Sequence, residues 1–301
     1  MQRKLENGRK EKGGRRKSVR NSALYLLPSI FFLLTPLDIR AQQRPLTTED
    51  PETIGSGRML IEAGLDYGHD ALFPVSGLSG NLMRWPVLGV STGISSIAEV
   101  QLDGALWQRL AITDRRPAPL AHMLMITGTT TGSIDDAVVA TKIRLLAEGA
   151  RRPAVGMRFG TKLPNASNES GLGLDTTDAF GTLLMAKTVQ SVRVVGNVGL
   201  GMLGDPTRGD RQNDVLLYGL SFARALTDAA EVVGEVNGRA DTRAGDPPPG
   251  TENRSVFRFG GRYTRGMLRL DSALAVGLTS RDPGLGWSAG FTYVFDAFDI
   301  P

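Results

Sequence analysis

Cysteine is absent from all 301 residues, histidine occurs twice, and aromatic side chains make up only 6%. Without cysteine there is no disulfide scaffold and no thiolate site for zinc or an iron–sulfur cluster. With His69 and His122 alone, neither a His-x-Ser nor a His-Glu-x-x-His spacing exists, so nucleophilic and zinc catalysis lack a pattern to rest on. Long apolar runs are missing after residue 41. A mean hydropathy of -0.11 excludes a polytopic helical membrane protein, while 41% hydrophobic residues are too many for a disordered chain. No cofactor and no metal site is expected.

What the chain does have is an uneven distribution of charge. Ten of the 35 Lys+Arg fall in residues 1–41 against three of the 31 Asp+Glu, leaving 25 basic and 28 acidic side chains beyond them. The basic isoelectric point belongs to the N-terminus, and a nucleic-acid partner is excluded. After that basic stretch, Ala23 to Leu37 is apolar-biased, interrupted by Pro28 and too short for a stable membrane span. Ile39-Arg40-Ala41 follows. This order reads as a secretory signal peptide over residues 1–41; an uncleaved anchor is the alternative. Residues 42–56 are then a periplasmic N-terminal segment.

From residue 57 onward the recurring signal is alternation over about ten residues. Met59, Ile61, Ala63, Leu65 and Tyr67 oppose Arg58, Glu62 and Asp66. Phe257, Phe259 and Tyr263 oppose Arg254, Arg258 and Arg262. Leu268, Leu270, Leu274 and Val276 oppose Arg269 and Asp271. Twelve such runs lie between 57 and 295, joined alternately by short turns and long loops, with loops expected at 68–83 and 108–132. Even strand number and alternating connections predict an all-β fold, a single transmembrane antiparallel β-barrel of about 12 strands. Residues 296–301 form a C-terminal tail. A soluble sandwich is the competing fold, but Gly156, Gly160, Gly199, Gly201, Gly260 and Gly290 sit on the charged faces, where a crowded lumen needs them.

Several motifs carry a further resemblance. Pro51-Glu52-Thr53-Ile54-Gly55-Ser56-Gly57-Arg58-Met59-Leu60-Ile61-Glu62-Ala63-Gly64 resembles the opening of the MetA-pathway-of-phenol-degradation family of outer-membrane, transporter-like proteins. Val155-Gly156-Met157-Arg158-Phe159-Gly160-Thr161-Lys162-Leu163-Pro164, then Gly171-Leu172-Gly173, is similar to its central hairpin. Glu231-Val232-Val233-Gly234-Glu235 and the closing Gly286–Phe295 strand are similar too. The resemblance spans nearly the whole chain after the leader. It implies an outer-membrane barrel in a Gram-negative-type bacterium, passing small aromatic or hydrophobic compounds, in contact with outer-membrane lipid and folded by the barrel assembly machinery. The chain departs from the pattern at Thr47-Thr48-Glu49-Asp50-Pro51 and beyond Phe295, which leaves Phe295 or Phe298 as the assembly signal.

On the barrel reading the inward charges are the candidate lumen-lining residues: Arg58, Glu62, Glu99, Asp103, Lys142, Arg144, Arg158, Lys162, Arg193, Glu231, Glu235, Arg254, Arg258, Arg262, Arg269 and Asp271. Opposite signs on neighbouring strands make such burial tolerable, and Glu235 should meet Arg258 across one hairpin. These residues line either a polar passage or a lumen closed by structural ion pairs. The chain is expected to be a channel and not an enzyme. The alternatives are a rim hydrolase, with His69 beside Asp66 and Asp70 as its general base, or a structural, adhesive barrel. Asp135-Asp136 and the Asp205/Asp210/Asp214 loop read as solvated acidic segments.

Overall fold

The computed structural model describes residues 44–299; the leader assigned to residues 1–41 lies outside them. Alternation builds strands because successive side chains point to opposite faces, and nearly every alternating run becomes one. The strands are β1 (Arg58–Phe73), β2 (Leu78–Gly93), β3 (Ala98–Ala105), β4 (Gln108–Arg115), β5 (Thr130–Ser133), β6 (Val138–Leu146) and β7 (Ala154–Lys162). They continue as β8 (Asp178–Val189), β9 (Val192–Gly204), β10 (Gln212–Ala225), β11 (Ala230–Asp241), β12 (Arg254–Arg265), β13 (Leu268–Gly277) and β14 (Leu285–Asp296). β3 and β4 lie end to end along β2, and β5 and β6 continue the next stave in the same way. The result is a closed ring of twelve antiparallel staves. It closes at β1, which pairs with β2 on one edge and with β14 on the other, in unbroken register from Arg58↔Asp296 to His69↔Leu285.

Two expected loops contain strand. Residues 68–83 extend β1 and β2 to a tight turn at 74–77, and 108–132 contributes β4 and β5. Gly68, His69, Asp70, Pro74 and Gly80 made the first stretch read as loop. Beyond an apolar band a stave need not keep apolar outward positions, so the alternation fades while the ladder continues.

Burial is inverted relative to a soluble domain. Glu99 and Lys142 are fully buried and Glu235 is 2% exposed, whereas Leu200, Leu220 and Leu274 are 61–62% exposed. Apolar clusters of buried residues are small, as in Ile54, Leu60 and Val294. A sandwich would bury most leucines and expose the charges; here many leucines are exposed while several charges are buried, the pattern of a barrel with an apolar outside. All three tryptophans, Trp85, Trp107 and Trp287, point outward toward the long-loop end. Tyr67 lies 6.4 Å from Trp287, and near the short-turn end Tyr293 stacks on Phe295 at 5.6 Å. Aromatic groups therefore stand at both ends of the apolar band, despite their scarcity overall.

Residues 44–56, set apart from the barrel by the sequence reading as a periplasmic segment, are bonded to the inner faces of the staves. Arg44 reaches Glu62 on β1, Asp271 on β13 and the Ala289 carbonyl on β14. Thr47 bonds Glu235 on β11, and Glu49 bonds Asn197 on β9 and Lys142 on β6. One short peptide can touch staves all around a closed ring only from inside it.

Candidate functional site: a charged lumen crossed by its own N-terminal segment

Of the predicted lumen residues, Glu62, Glu99, Lys142, Glu235, Arg269 and Asp271 are buried, and most of the set is held by ion pairs. Lys142 sits 2.8 Å from Glu49 and 3.0 Å from Glu99, all three almost fully buried. Glu99 also accepts the Ile54 N–H at 2.7 Å. Arg144 pairs with Glu52 at 2.5 Å, and Arg193 joins Asp50 to Glu148. Arg158 bonds Gln101 at 2.7 Å and Asp103 at 3.1 Å while lying 5.1 Å over the Phe180 ring. The expected Glu235–Arg258 pair forms at 2.7 Å, and the carboxylate also accepts the Thr47 and Thr48 N–H groups.

The remaining candidates divide between the two ends. Toward the short turns, Arg58 stands 3.5 Å from Asp296, and Glu231 stands 3.8 Å from Arg262 and 3.9 Å from Arg269. Arg262 donates to the Arg44 carbonyl at 2.8 Å, Thr292 donates to Glu62, and Asp271 faces Arg44 at 3.5 Å. Toward the long loops, Lys162 bridges Asp136 and Asp178 at 3.2 and 3.0 Å, and Arg254 points at the Leu72 carbonyl.

Sequence reasoning missed the plug. Glu49, Asp50 and Glu52 show no periodicity, and their partners are far away in sequence, so nothing local marks them as internal. Glycine was the available signal. A Cβ on Gly290 would come within 2.6 Å of the Arg44 guanidinium, and one on Gly219 within 2.9 Å of the Thr48 hydroxyl. Inward glycines leave room for a second chain segment, not merely for neighbouring staves.

Above the segment lies a cavity of about 520 Å³, within the size range of small-molecule sites. Arg44 to Thr47 form its floor, and Arg84, Asp66, Asp103 and Arg258 supply charge, against an apolar wall that includes Leu82, Val87, Val138 and Phe180. Gly89 lies between Glu62 and Asp103 in the ladder, and a Cβ there would stand 3.1 Å from Asp103 and 3.4 Å from Glu62. At the long-loop end Leu124, Ile126 and Leu172 pack on Leu78 and Leu110.

Two features read from the sequence take other places, and one further spacing belongs to a strand. His69 is on β1, not in a loop, with Nδ1 2.8 Å from Asn81 and Nε2 3.2 Å from Asp70; Asp66 turns instead to Arg44 and Arg84. Asp135 and Asp136 are bound to Arg84 and Lys162 and are not a solvated acidic loop. Gly89-Val90-Ser91-Thr92-Gly93 has the spacing of a nucleophile elbow. It runs flat through β2, with Ser91 paired to Leu60 and Gln101, and lacks the strand–turn–helix bend that such an elbow requires.

No protein-family model and no curated protein matches the sequence. Among solved structures, the chain is similar to an outer membrane channel from Pseudomonas putida F1, with a TM-score of 0.57 and 12% identity, covering 82% of this chain and 98% of that one. It is more distantly similar to the translocator domain of the autotransporter NalP from Neisseria meningitidis (TM-score 0.44, 14% identity, 80% and 89% covered). A similar distance separates it from the NanC porin (TM-score 0.47, 11% identity, 79% and 100% covered). At these identities the likeness concerns the fold alone, and the first of the three carries it: the chain has the fold of an outer-membrane β-barrel.

Proposed function

We propose that the protein is an outer-membrane channel for passive passage of small solutes, narrowed by its own residues 44–56. The observation that carries this reading is the polarity of the closed ring: an apolar outside, and an inside where charged side chains surround a cavity of about 520 Å³. A purely structural barrel has no need of such a cavity between its plug and its outer loops. The inward charges from Arg58 to Asp271 hold the segment and line the path, and the apolar wall at Leu82, Val138 and Phe180 suits the small aromatic or hydrophobic compounds that the sequence resemblance implies. The exposed staves contact outer-membrane lipid, and the barrel assembly machinery reads Phe295 near the end of β14 or Phe298 just beyond it.

Reconstitution into planar bilayers tests this. The channel reading expects small, reproducible conductance steps; silence at every voltage and pH would reject it.

A further inference from the structure

The hairpin of β11 and β12 carries two charged rungs on one face, and they differ in sign. At the first, Glu235 stands opposite Arg258 and pairs with it at 2.7 Å. Four positions further toward the long loops, Arg239 stands opposite Arg254. Alternation puts Arg254 on the same face as Val256 and Arg258, both of which line the cavity. Like charges directly opposite on neighbouring strands repel, so such a rung needs something to offset it. Among the described residues neither guanidinium has an ion pair. Arg239 donates to the Glu252 carbonyl at 2.9 Å and the Gly250 carbonyl at 2.6 Å, and Arg254 donates to the Leu72 carbonyl at 3.4 Å. Leu72 belongs to β1, which β13 and β14 separate from β12, so Arg254 reaches it across the interior of the ring.

The carboxylates nearest this rung are committed elsewhere. Glu252 accepts the Gly250 N–H at 2.8 Å, and Asp282 accepts the Ser255 N–H at 2.9 Å and the Thr279 hydroxyl at 2.6 Å. Asp178 accepts the Gly204 N–H at 2.9 Å and pairs with Lys162 at 3.0 Å. These groups offset part of the positive charge from a distance, while Arg281 in the loop after β13 adds to it. The balance suits a monoanion better than a dianion. Apolar groups adjoin the rung. A Cβ on Gly250 would stand 3.0 Å from Val75 and 3.4 Å from Leu174, and the cavity to which the Arg254 face leads has Leu82, Val138 and Phe180 in its wall. A guanidinium fork matches a carboxylate with two parallel hydrogen bonds.

We propose that Arg239 and Arg254 form an entry site for the carboxylate of a small monocarboxylic acid, whose apolar body lies toward Val256 and the cavity wall. The proposal rests on the channel reading and gives the solutes it admits a charged end. The unpaired rung draws the anion into the long-loop mouth. The next rung, Glu235 with Arg258, is balanced within itself and does not compete for it.

Benzoate and its neutral isostere benzamide are the probes, with inorganic phosphate as the dianionic comparison. Binding to the purified full chain in detergent is measured by titration calorimetry, and the same preparations are recorded in planar bilayers. Benzoate should bind, and benzamide and phosphate should each bind more weakly. Arg239→Gln and Arg254→Gln should each weaken benzoate about tenfold or more, as the loss of a charge-assisted hydrogen bond requires, and leave benzamide unchanged. Arg254→Lys, which keeps the charge, should recover part of the loss. Heat-modifiable gel mobility shows which variants fold, and substitution at two positions guards against one failing to do so. Benzamide binding as tightly as benzoate, phosphate binding more tightly, or benzoate binding untouched by either Gln variant overturns the proposal. Equal loss of benzoate and benzamide in the Gln variants also overturns it, since the arginines would then serve only to hold the loop 242–253. Conductance without benzoate binding removes the site and leaves the channel standing. Benzoate binding with the expected variant pattern but no conductance supports the site and rejects the channel, and absence of both removes the two together.

Discussion

Lys142 is the point where the energetics of the lumen are most concentrated. Its ammonium is fully buried between Glu49 from the segment and Glu99 from β3. Removing one partner from a buried ionic cluster leaves uncompensated charge, at a cost of about 3–5 kcal/mol. Lys142→Met should therefore lower resistance to denaturant by that order, and the double change Lys142→Met/Glu99→Gln should recover part of it; equal denaturation midpoints for wild type and Lys142→Met would contradict the arrangement. Gly219 offers a gentler probe. The three atoms nearest its Cβ would all belong to Thr48, so Gly219→Val presses first on the segment. The expected result is a larger mean conductance in a barrel that still folds, read in bilayers and by gel mobility. An unaltered conductance would show that Thr48 does not narrow the path.

At the scale of elements, the connection between β6 and β7 acts as a staple. Lys187 on β8 donates to the Gly149 carbonyl at 2.6 Å and sits 3.3 Å from Glu148. Burial pushes the Glu148 carboxyl up, but the Thr188 N–H, Lys187 and Arg193 outweigh it and hold the group at about 2, against an ordinary 4.5. A depressed folded-state pKa gives stability that is complete above the unfolded value and lost as pH falls through the folded one. The stability gap between wild type and Glu148→Gln, measured by thermal unfolding, should be constant above about pH 5, shrink between about 4.5 and 2, and close below. A gap independent of pH over that window would refute the assignment.

Elements also show what could be read in the chain and what could not. The staves were legible because an apolar outside and a charged inside impose strict alternation, as in Met59–Tyr67 or Leu268–Val276. The Glu235–Arg258 contact followed from register alone. The extensions of β1 and β2 were hidden, since beyond the apolar band nothing enforces an apolar outward face at His69 or Asn81. The segment was hidden for another reason. Glu49, Asp50 and Glu52 take their meaning from Lys142, Arg193 and Arg144, all more than ninety positions further along the chain, and no local pattern encodes such a contact.

For the whole molecule, inversion of polarity makes a prediction about folding that is independent of transport. A closed ladder of twelve staves with apolar outward faces should resist detergent at room temperature and migrate differently on gels before and after boiling, because heating is needed to open the ring. Identical mobility in both states would return the chain to the class of soluble β-domains.

On the proposed function, the charged barrel lumen is a conduit narrowed by the chain's own N-terminal segment. Single-channel recording of the full chain beside a variant lacking residues 44–56, with both shown to be heat-modifiable, addresses it most directly. The full chain should give small conductance steps and the variant steps several-fold larger. Equal conductance in the two, or none in either, would contradict it.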